Sequence, residues 1–310
     1  MISSVQPIKT NSVRAWLLAA RPKTLSGAAV PVVVALSMAW VDCQPSSLVT
    51  AEGFKWLPAM LCLLFAFLMQ VDANLVNDDF DCIRGVDGED RLGPERACAQ
   101  GWVTLPAMRR AIRTVTLLSC IVGLPLVVWG GWPMALVGAA CVVFCFLYTT
   151  VLSRMGMGDV LVLLFFGIVP VCSTYYIQTH TLTAGIVCLS LACGLVTDCL
   201  LMVNNYRDRV SDLCVGKRTL VTFIGARASE WLYLLLGVAG VVLTLPVLRG
   251  TVLGMLPWLC WHVWVWRQMV RTGEGRALNK VLGLTALSIL GFGLFVSLLI
   301  LFFEIRPLNS

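Results

Sequence analysis

Long apolar runs alternate with short polar segments along the whole 310-residue chain. A helix needs about 20 mostly apolar residues to cross the hydrocarbon core of a bilayer, and the runs reach this length. The pattern predicts nine membrane-spanning helices, with boundaries good to about two to four residues. Their predicted ranges are 24–41, 56–76, 106–128, 133–152, 159–177, 182–203, 229–248, 251–268 and 280–303.

Two of the predicted connections are long, about 77–105 and 204–228, and both follow an even-numbered span. Each begins with asparagine and aspartate at helical spacing, whereas the other connections are shorter. The layout predicts an all-α integral membrane fold around a central cavity. It also predicts one domain over residues 1–310, with two similar four-helix halves at about 14–152 and 159–268 and a ninth helix at about 280–303.

Composition and charge support a membrane protein and indicate its orientation. The chain is 58% hydrophobic and 13% charged, whereas soluble domains carry about 25% charged residues. All of the 23 lysines and arginines except Lys55, Arg249 and Arg306 fall on one side of the predicted spans. Cationic residues accumulate on the cytoplasmic side of membrane proteins, so the N-terminus is predicted to be cytoplasmic and the C-terminus to lie opposite. The net charge of +6 then reflects topology rather than nucleic-acid binding.

Two further classes are disfavoured by the sequence. The thirteen cysteines include no CxxC pair and only two histidines accompany them, which argues against zinc and favours packing roles for the thiols. Lysines and arginines interrupt the first apolar residues, so a cleavable signal peptide is not expected.

A polar stretch follows the second predicted span. Asn74 and Asp78 are four residues apart, as are Asn77 and Asp81. All four share one helical face if the helix continues past the apolar run. Asp87 follows Gly85, a residue that allows the backbone to turn back.

A second polar stretch follows the sixth predicted span, where Asn204, Asp208 and Asp212 share one helical face. Clustered carboxylates repel one another unless a cation lies between them, and Mg²⁺ binds carboxylates together with phosphate oxygens. The two stretches therefore predict magnesium ions that hold a diphosphate. The alternative, solvated loops with acidic caps, is disfavoured because the two stretches occupy matching places. Cations that would bind the remaining phosphate oxygens are Arg21, Lys23, Arg207, Lys217 and Arg218.

Asp72 and Asp198 lie one to two turns inside their predicted spans, each ahead of a polar stretch. Two interpretations remain open for them. They line the polar end of a cavity and touch an acceptor substrate, or they are buried acids that bond to a neighbouring helix.

The two acidic motifs, Asn77-Asp78-x-x-Asp81 with Asp87 and Asp208-x-x-x-Asp212, resemble those of the UbiA superfamily of intramembrane prenyltransferases. Five residues separate Asp81 from Asp87, a spacing similar to that of the branch that prenylates 1,4-dihydroxy-2-naphthoate. Further segments resemble that branch, and the resemblance covers nearly the whole chain. They are residues 16–25, 85–94, 100–101, 165–167, 174–176, 204–208 and 216–220.

The resemblance implies a bacterial enzyme of menaquinone biosynthesis in the inner membrane, with its site open to the cytoplasm. It implies Mg²⁺, a polyprenyl diphosphate donor and 1,4-dihydroxy-2-naphthoate as acceptor, with demethylmenaquinone, carbon dioxide and diphosphate as products. The metal set would be Asn77, Asp78, Asp81, Asp87, Asn204, Asp208 and Asp212, of which Asp78, Asp81, Asp208 and Asp212 would be catalytic. The diphosphate would be bound by Arg21, Lys23, Arg207, Lys217 and Arg154. Candidates for contact with the acceptor are Asn74, Asp72, Asp198 and Tyr148, although Asp72 and Asp198 are not part of the family's pattern.

One segment departs from the pattern of that branch. Residues 150–154, after Tyr148 and Thr149, lack the usual glycine and proline, and Arg154 is the only cation there. Two other functions remain as alternatives. One is prenyl transfer to another aromatic acceptor, such as 4-hydroxybenzoate. The other is a transporter, although the acids lie at one membrane face and not at its midplane.

Overall fold

The computed structural model describes residues 8–44, 53–85 and 91–304, apart from the side chain of Arg154. These residues form thirteen α-helices and no β-strand. The helices are α1 (Val13–Ala20), α2 (Leu25–Asp42), α3 (Trp56–Arg84), α4 (Leu105–Gly123), α5 (Leu126–Gly130), α6 (Pro133–Thr150), α7 (Gly158–Leu163), α8 (Val169–Thr179), α9 (Ala184–Cys214), α10 (Leu220–Ile224), α11 (Ala226–Leu248), α12 (Leu256–Thr272) and α13 (Leu278–Phe302).

The predicted all-α membrane architecture is confirmed. Eight helical stretches of the described chain are long and apolar enough to cross a membrane. One of them, Ala226–Thr272, contains both α11 and α12, which correspond to two separate predicted spans.

The two long connections begin later than the sequence predicted. Helix α3 continues to Arg84 and α9 continues to Cys214, so both polar stretches lie on helices and not in loops. The prediction was wrong because hydropathy reports where a helix leaves apolar surroundings, not where its hydrogen bonding stops. Gly85, in the left-handed region with φ of 64°, ends α3.

Three predicted spans are interrupted. The third divides into α4 and α5 near Pro125, whose ring nitrogen cannot donate a helical hydrogen bond. The fifth consists of α7, a π-helical turn at Leu164–Ile168 and α8. The eighth begins with a 3₁₀ segment, Arg249–Met255, so α12 starts at Leu256 and not at 251.

Helices α2, α8, α9, α11 and α13 share the largest buried apolar core. The π-helical turn crosses α9 at very short range. A Cβ atom at Gly167 would lie 2.5 Å from the carbonyl oxygen of Ser190 and 2.8 Å from Cα of Gly194. Small residues allow membrane helices to approach this closely.

The Gly167→Ala variant is therefore expected to be less stable than the wild type. Its methyl group meets backbone atoms, which cannot rotate away, and overpacking of this kind costs about 1–3 kcal/mol. Thermal unfolding in detergent micelles measures the effect. Gly138→Ala is the matched control, because no heavy atom lies within 4 Å of its added Cβ. Equal melting temperatures for the two variants would contradict the close crossing.

Candidate active site

The last three turns of α3 carry the first polar stretch. The amide nitrogen of Asn74 donates to the carbonyl oxygen of Ala20 and to Oγ1 of Thr24, both at 2.9 Å. Oδ1 of Asn77 accepts a hydrogen bond from Oγ1 of Thr149 at 2.8 Å. Asn74 therefore fixes the N-terminal segment to α3, and Asn77 faces the end of α6.

Asp78 is buried and holds the loop that follows the first polar stretch. Its two carboxylate oxygens accept the backbone N–H groups of Ala97 and Cys98, each at 3.0 Å. Burial raises the pKa of the Cys98 thiol to about 12, and the charge of Asp78 acts in the same direction. The thiol of Cys98 is therefore neutral at physiological pH.

Asp81 and Asp79 point to different surroundings. Asp81 pairs with Arg96, whose Nη2 lies 2.7 Å from Oδ2, and its side chain keeps 23% of its surface exposed. Asp79 faces α4, where Nε of Arg109 lies 3.5 Å from its Oδ1. Of these two acids, Asp81 shares its side of α3 with Asn77 and Asp78.

The end of α9 carries the second polar stretch, which is organised around the buried guanidinium of Arg207. Nε and Nη2 donate to the two carboxylate oxygens of Asp208, at 2.8 and 2.6 Å. Nη2 also donates to Oδ1 of Asn204 at 2.8 Å. One turn later, Nζ of Lys217 lies 3.1 Å from a carboxylate oxygen of Asp212.

Arg207 also joins the two polar stretches. Its Nη1 donates to Oδ1 of Asn279 at the start of α13, and the amide of Asn279 donates to the carbonyl of Leu92, both at 2.8 Å. Gly93 lies so close to the guanidinium that an added Cβ would be 2.8 Å from Nη2. Because Leu92 and Gly93 belong to the loop after the first stretch, Arg207 ties that loop to the second stretch.

The remaining cations that the sequence assigned to diphosphate are placed less directly. Arg21 stands in the left-handed region with φ of 51° at the end of α1, and Lys23 is exposed at the turn before α2. The backbone of Arg218 pairs with that of Met155, which ties the segment after α6 to the segment after α9. Asp87 and the side chain of Arg154 lie outside the described residues.

The inner acids differ from each other. Asp72 is fully buried, and its Oδ2 lies 2.7 Å from Oγ1 of Thr116 on α4. This contact is the one expected of a buried acid that bonds to a neighbouring helix. Asp198 is 5% exposed, and its Oδ1 has no hydrogen-bond partner among the described residues.

The donor set suits a hard divalent cation. Asn77, Asp81, Asn204, Asp208 and Asp212 supply carboxylate and carboxamide oxygens at the ends of α3 and α9, and Mg²⁺ prefers such ligands. Within the described ranges, no three histidine, cysteine, aspartate or glutamate side chains form a ready metal cluster. The acids are spread out, and Arg96, Arg207 and Lys217 neutralise Asp81, Asp208 and Asp212.

Sequence reasoning missed three residues of this site: Arg96, Asn279 and Asp159. Arg96 lies 15 residues from Asp81 in a loop, and Asn279 lies 72 residues from Arg207. No periodic pattern spans such separations. Asp159 did carry a signal, because it is a lone acid at the start of an apolar run.

Comparisons with known proteins agree with this architecture. Residues 34–299 match the model of the UbiA prenyltransferase family. The 1,4-dihydroxy-2-naphthoate octaprenyltransferase of Escherichia coli strain K12 is 35% identical over 68% of this chain and 69% of that protein. The enzyme of the same name from Mycobacterium tuberculosis is 32% identical over 78% of this chain and 79% of its own length. A UbiA homolog from Archaeoglobus fulgidus, solved with GPP and Mg²⁺, superimposes with a TM-score of 0.62 at 14% identity, over 91% of this chain and 99% of that chain.

Proposed function

The chain belongs to the UbiA prenyltransferase family, and on that premise we propose that it transfers a polyprenyl group to 1,4-dihydroxy-2-naphthoate in menaquinone biosynthesis. Three relatives named 1,4-dihydroxy-2-naphthoate octaprenyltransferase are 32–35% identical to it over 69–79% of their own length. One structural observation carries the proposal further. Arg207 brings the loop of the first acidic motif against the second motif, as a shared diphosphate site requires.

The overall reaction is balanced without an added proton. The bond between the prenyl carbon and the diphosphate oxygen breaks, and diphosphate leaves with the electron pair. A ring carbon of the naphthoate forms the new bond to the prenyl carbon. The bond from the ring to the carboxylate breaks, its electron pair returns to the ring, and carbon dioxide leaves. The product is demethylmenaquinone in its reduced form.

We assign the binding of magnesium to Asn77, Asp81, Asn204, Asp208 and Asp212, as the hard oxygen donors of the two helix ends. The bound ion supplies electrostatic stabilisation of the charge that grows on the leaving diphosphate. Asp87 stays a predicted ligand outside the described residues. Asp78 also stays a predicted ligand, because the two backbone hydrogen bonds that it accepts leave lone pairs on its oxygens.

The cations beside these acids have a second use in the proposal. Arg96 and Lys217 neutralise Asp81 and Asp212 in the described structure, with N–O distances of 2.7 and 3.1 Å. If Mg²⁺ bound Asp81 and Asp212, the side chains of Arg96 and Lys217 would be able to bind diphosphate oxygens. Arg21 and Lys23, at the turn between α1 and α2, complete the positive surroundings that an anionic leaving group needs.

Aromatic rings lie between α6 and the π-helical turn, where half-buried Phe144 and Phe165 pack with centroids 5.2 Å apart. In the proposed reaction, the electron-rich naphthoate ring attacks the electron-deficient prenyl carbon. We place the protein in the bacterial cytoplasmic membrane with this site open to the cytoplasm, as the distribution of cations predicts.

Product analysis tests the proposal directly. Purified protein in micelles is mixed with Mg²⁺, polyprenyl diphosphate and either 1,4-dihydroxy-2-naphthoate or 4-hydroxybenzoate. Diphosphate release is measured together with product mass, and the naphthoate is expected to give a product that has lost carbon dioxide. Faster turnover of 4-hydroxybenzoate would reassign the acceptor. Absence of diphosphate release with every acceptor would favour a transporter.

A further inference from the structure

A second pair of acids lies deeper than the two motifs. Asp198 of α9 is 5% exposed, and its Oδ1 is buried with no hydrogen-bond partner among the described residues. Oγ1 of its neighbour Thr197 is in the same state. A buried polar atom without a partner costs about 1–3 kcal/mol, so such atoms in a native protein call for an explanation.

The second acid is Asp159 on α7, whose Oδ1 is also buried without a partner in the described part of the chain. Helices α7 and α9 run antiparallel in close contact. Gly158 lies against Leu201, and Leu163 lies against Gly194. Asp159 is therefore level with the turn of α9 that carries Asp198, and the two carboxyl groups act on each other electrostatically.

The phenol of Tyr148 on α6 connects this pair to the first motif. Asp159, Asp198 and Asp81 all act on it electrostatically, so it lies near both the inner pair and the first motif. Gly27 of α2 packs beside Thr197, because a Cβ added at Gly27 would be 3.8 Å from both Thr197 and the half-buried ring of Phe166.

The chemistry of the pair selects between the two substrates. A prenyl diphosphate has no hydrogen-bond donor at neutral pH, so it cannot donate to the unpartnered oxygens. A dihydroxynaphthoate carries two phenolic O–H groups, and each can donate to a carboxyl oxygen. The unpartnered oxygens of Asp159 and Asp198 match these two donors.

We propose that Asp159 and Asp198 form the subsite that binds the hydroxyl groups of the aromatic acceptor, with Tyr148 directing the ring towards Asp81. The proposal rests on the function proposed above, which it refines by assigning acceptor-binding residues. Two hydrogen bonds to the hydroxyl groups fix the plane of the ring. A phenolic O–H that donates a hydrogen bond also makes the ring more electron-rich. The ring is then a better nucleophile towards the prenyl carbon.

The Asp159→Asn and Asp198→Asn variants test this assignment. Each is expected to raise KM for the acceptor by about fivefold to tenfold, the effect of disrupting one buried hydrogen bond. KM for polyprenyl diphosphate should stay within about twofold, because the diphosphate lies at the motifs. A purely structural role would not separate the two constants. Asp42→Asn is the matched control, since Asp42 is a buried acid at the other end of the bundle that accepts from Tyr175 at 2.6 Å.

Equilibrium binding keeps the two proposals distinguishable. Tryptophan fluorescence of metal-free protein in micelles is titrated with 1,4-dihydroxy-2-naphthoate, without donor. Weaker binding to both variants but not to Asp42→Asn supports the subsite even if turnover with this acceptor fails. Unchanged acceptor binding and KM in a folded Asp159→Asn protein would overturn the subsite while leaving the prenyl transfer intact. Asp159 is the more exposed of the pair, so this variant serves if Asp198→Asn does not fold.

Discussion

Replacement of Asp81 by alanine is expected to lower turnover by about a hundred- to a thousandfold, the effect of removing one preorganised electrostatic group from an active site. Asp81 projects from α3 beside Asn77 and keeps 23% of its side chain exposed, so it is the most open to a ligand among the described acids of the first motif. Arg96 is 8% exposed and loses this partner in the variant, so some loss of stability is expected as well. Turnover in micelles and thermal unfolding measure the two effects separately.

Asp79→Asn is the matched control for Asp81. The two acids lie two residues apart on α3, but Asp79 faces α4 and its partner Arg109 is 53% exposed at the side chain. Turnover of the Asp79 variant should stay near that of the wild type. Full activity of Asp81→Ala, or equal losses in both variants, would contradict the assignment of Asp81 to the metal and diphosphate site.

Replacement of Arg207 by methionine is expected to impair both folding and turnover. The guanidinium is 1% exposed at the side chain and binds Asp208 through two nitrogens. Removing one partner of a buried ion pair costs roughly 3–5 kcal/mol, since the other charge stays behind. Asn279 and the loop at Leu92 would lose their link to α9 as well. Thermal unfolding and turnover in micelles both report the loss.

Lysine should not rescue position 207. Its single ammonium group cannot reproduce the planar, bidentate contact with Asp208 while it also reaches Asn204 and Asn279. Arg209→Lys serves as the control, because Arg209 pairs with an exposed Glu274 at 3.9 Å. Wild-type stability and activity of Arg207→Lys would show that the charge alone matters and that the geometry of the guanidinium contacts does not.

The sequence predicted the fold class and the location of the acids for definite physical reasons. Apolar runs of spanning length have few alternatives to a membrane helix. The spacing of Asn77 with Asp81 and of Asn204 with Asp208 identified helical faces even beyond the hydropathy boundary. The division into two similar halves, the orientation in the membrane and the roles of the site residues stay predictions.

The partners of those acids could not be predicted, because they come from distant parts of the chain. The sequence predicts that Arg207 binds phosphate, whereas in the structure its guanidinium donates hydrogen bonds to Asp208, Asn204 and Asn279. Asp78 matches a metal ligand, yet both of its oxygens hold the backbone of a loop 19 and 20 residues away. Such contacts depend on tertiary packing, which periodicity does not encode.

The length of α9 has a consequence for how the donor reaches the protein. Its 31 residues measure about 46 Å at the usual rise per residue, against a hydrocarbon thickness of about 30 Å. The apolar residues 184–203 are long enough to cross that core, so we expect the last turns, with Asp208 and Asp212, at the level of the lipid headgroups. A polyprenyl diphosphate in the leaflet already keeps its diphosphate at that depth. It can enter the protein laterally from the bilayer. Its prenyl tail then stays in the hydrocarbon core and its diphosphate stays in the headgroup region.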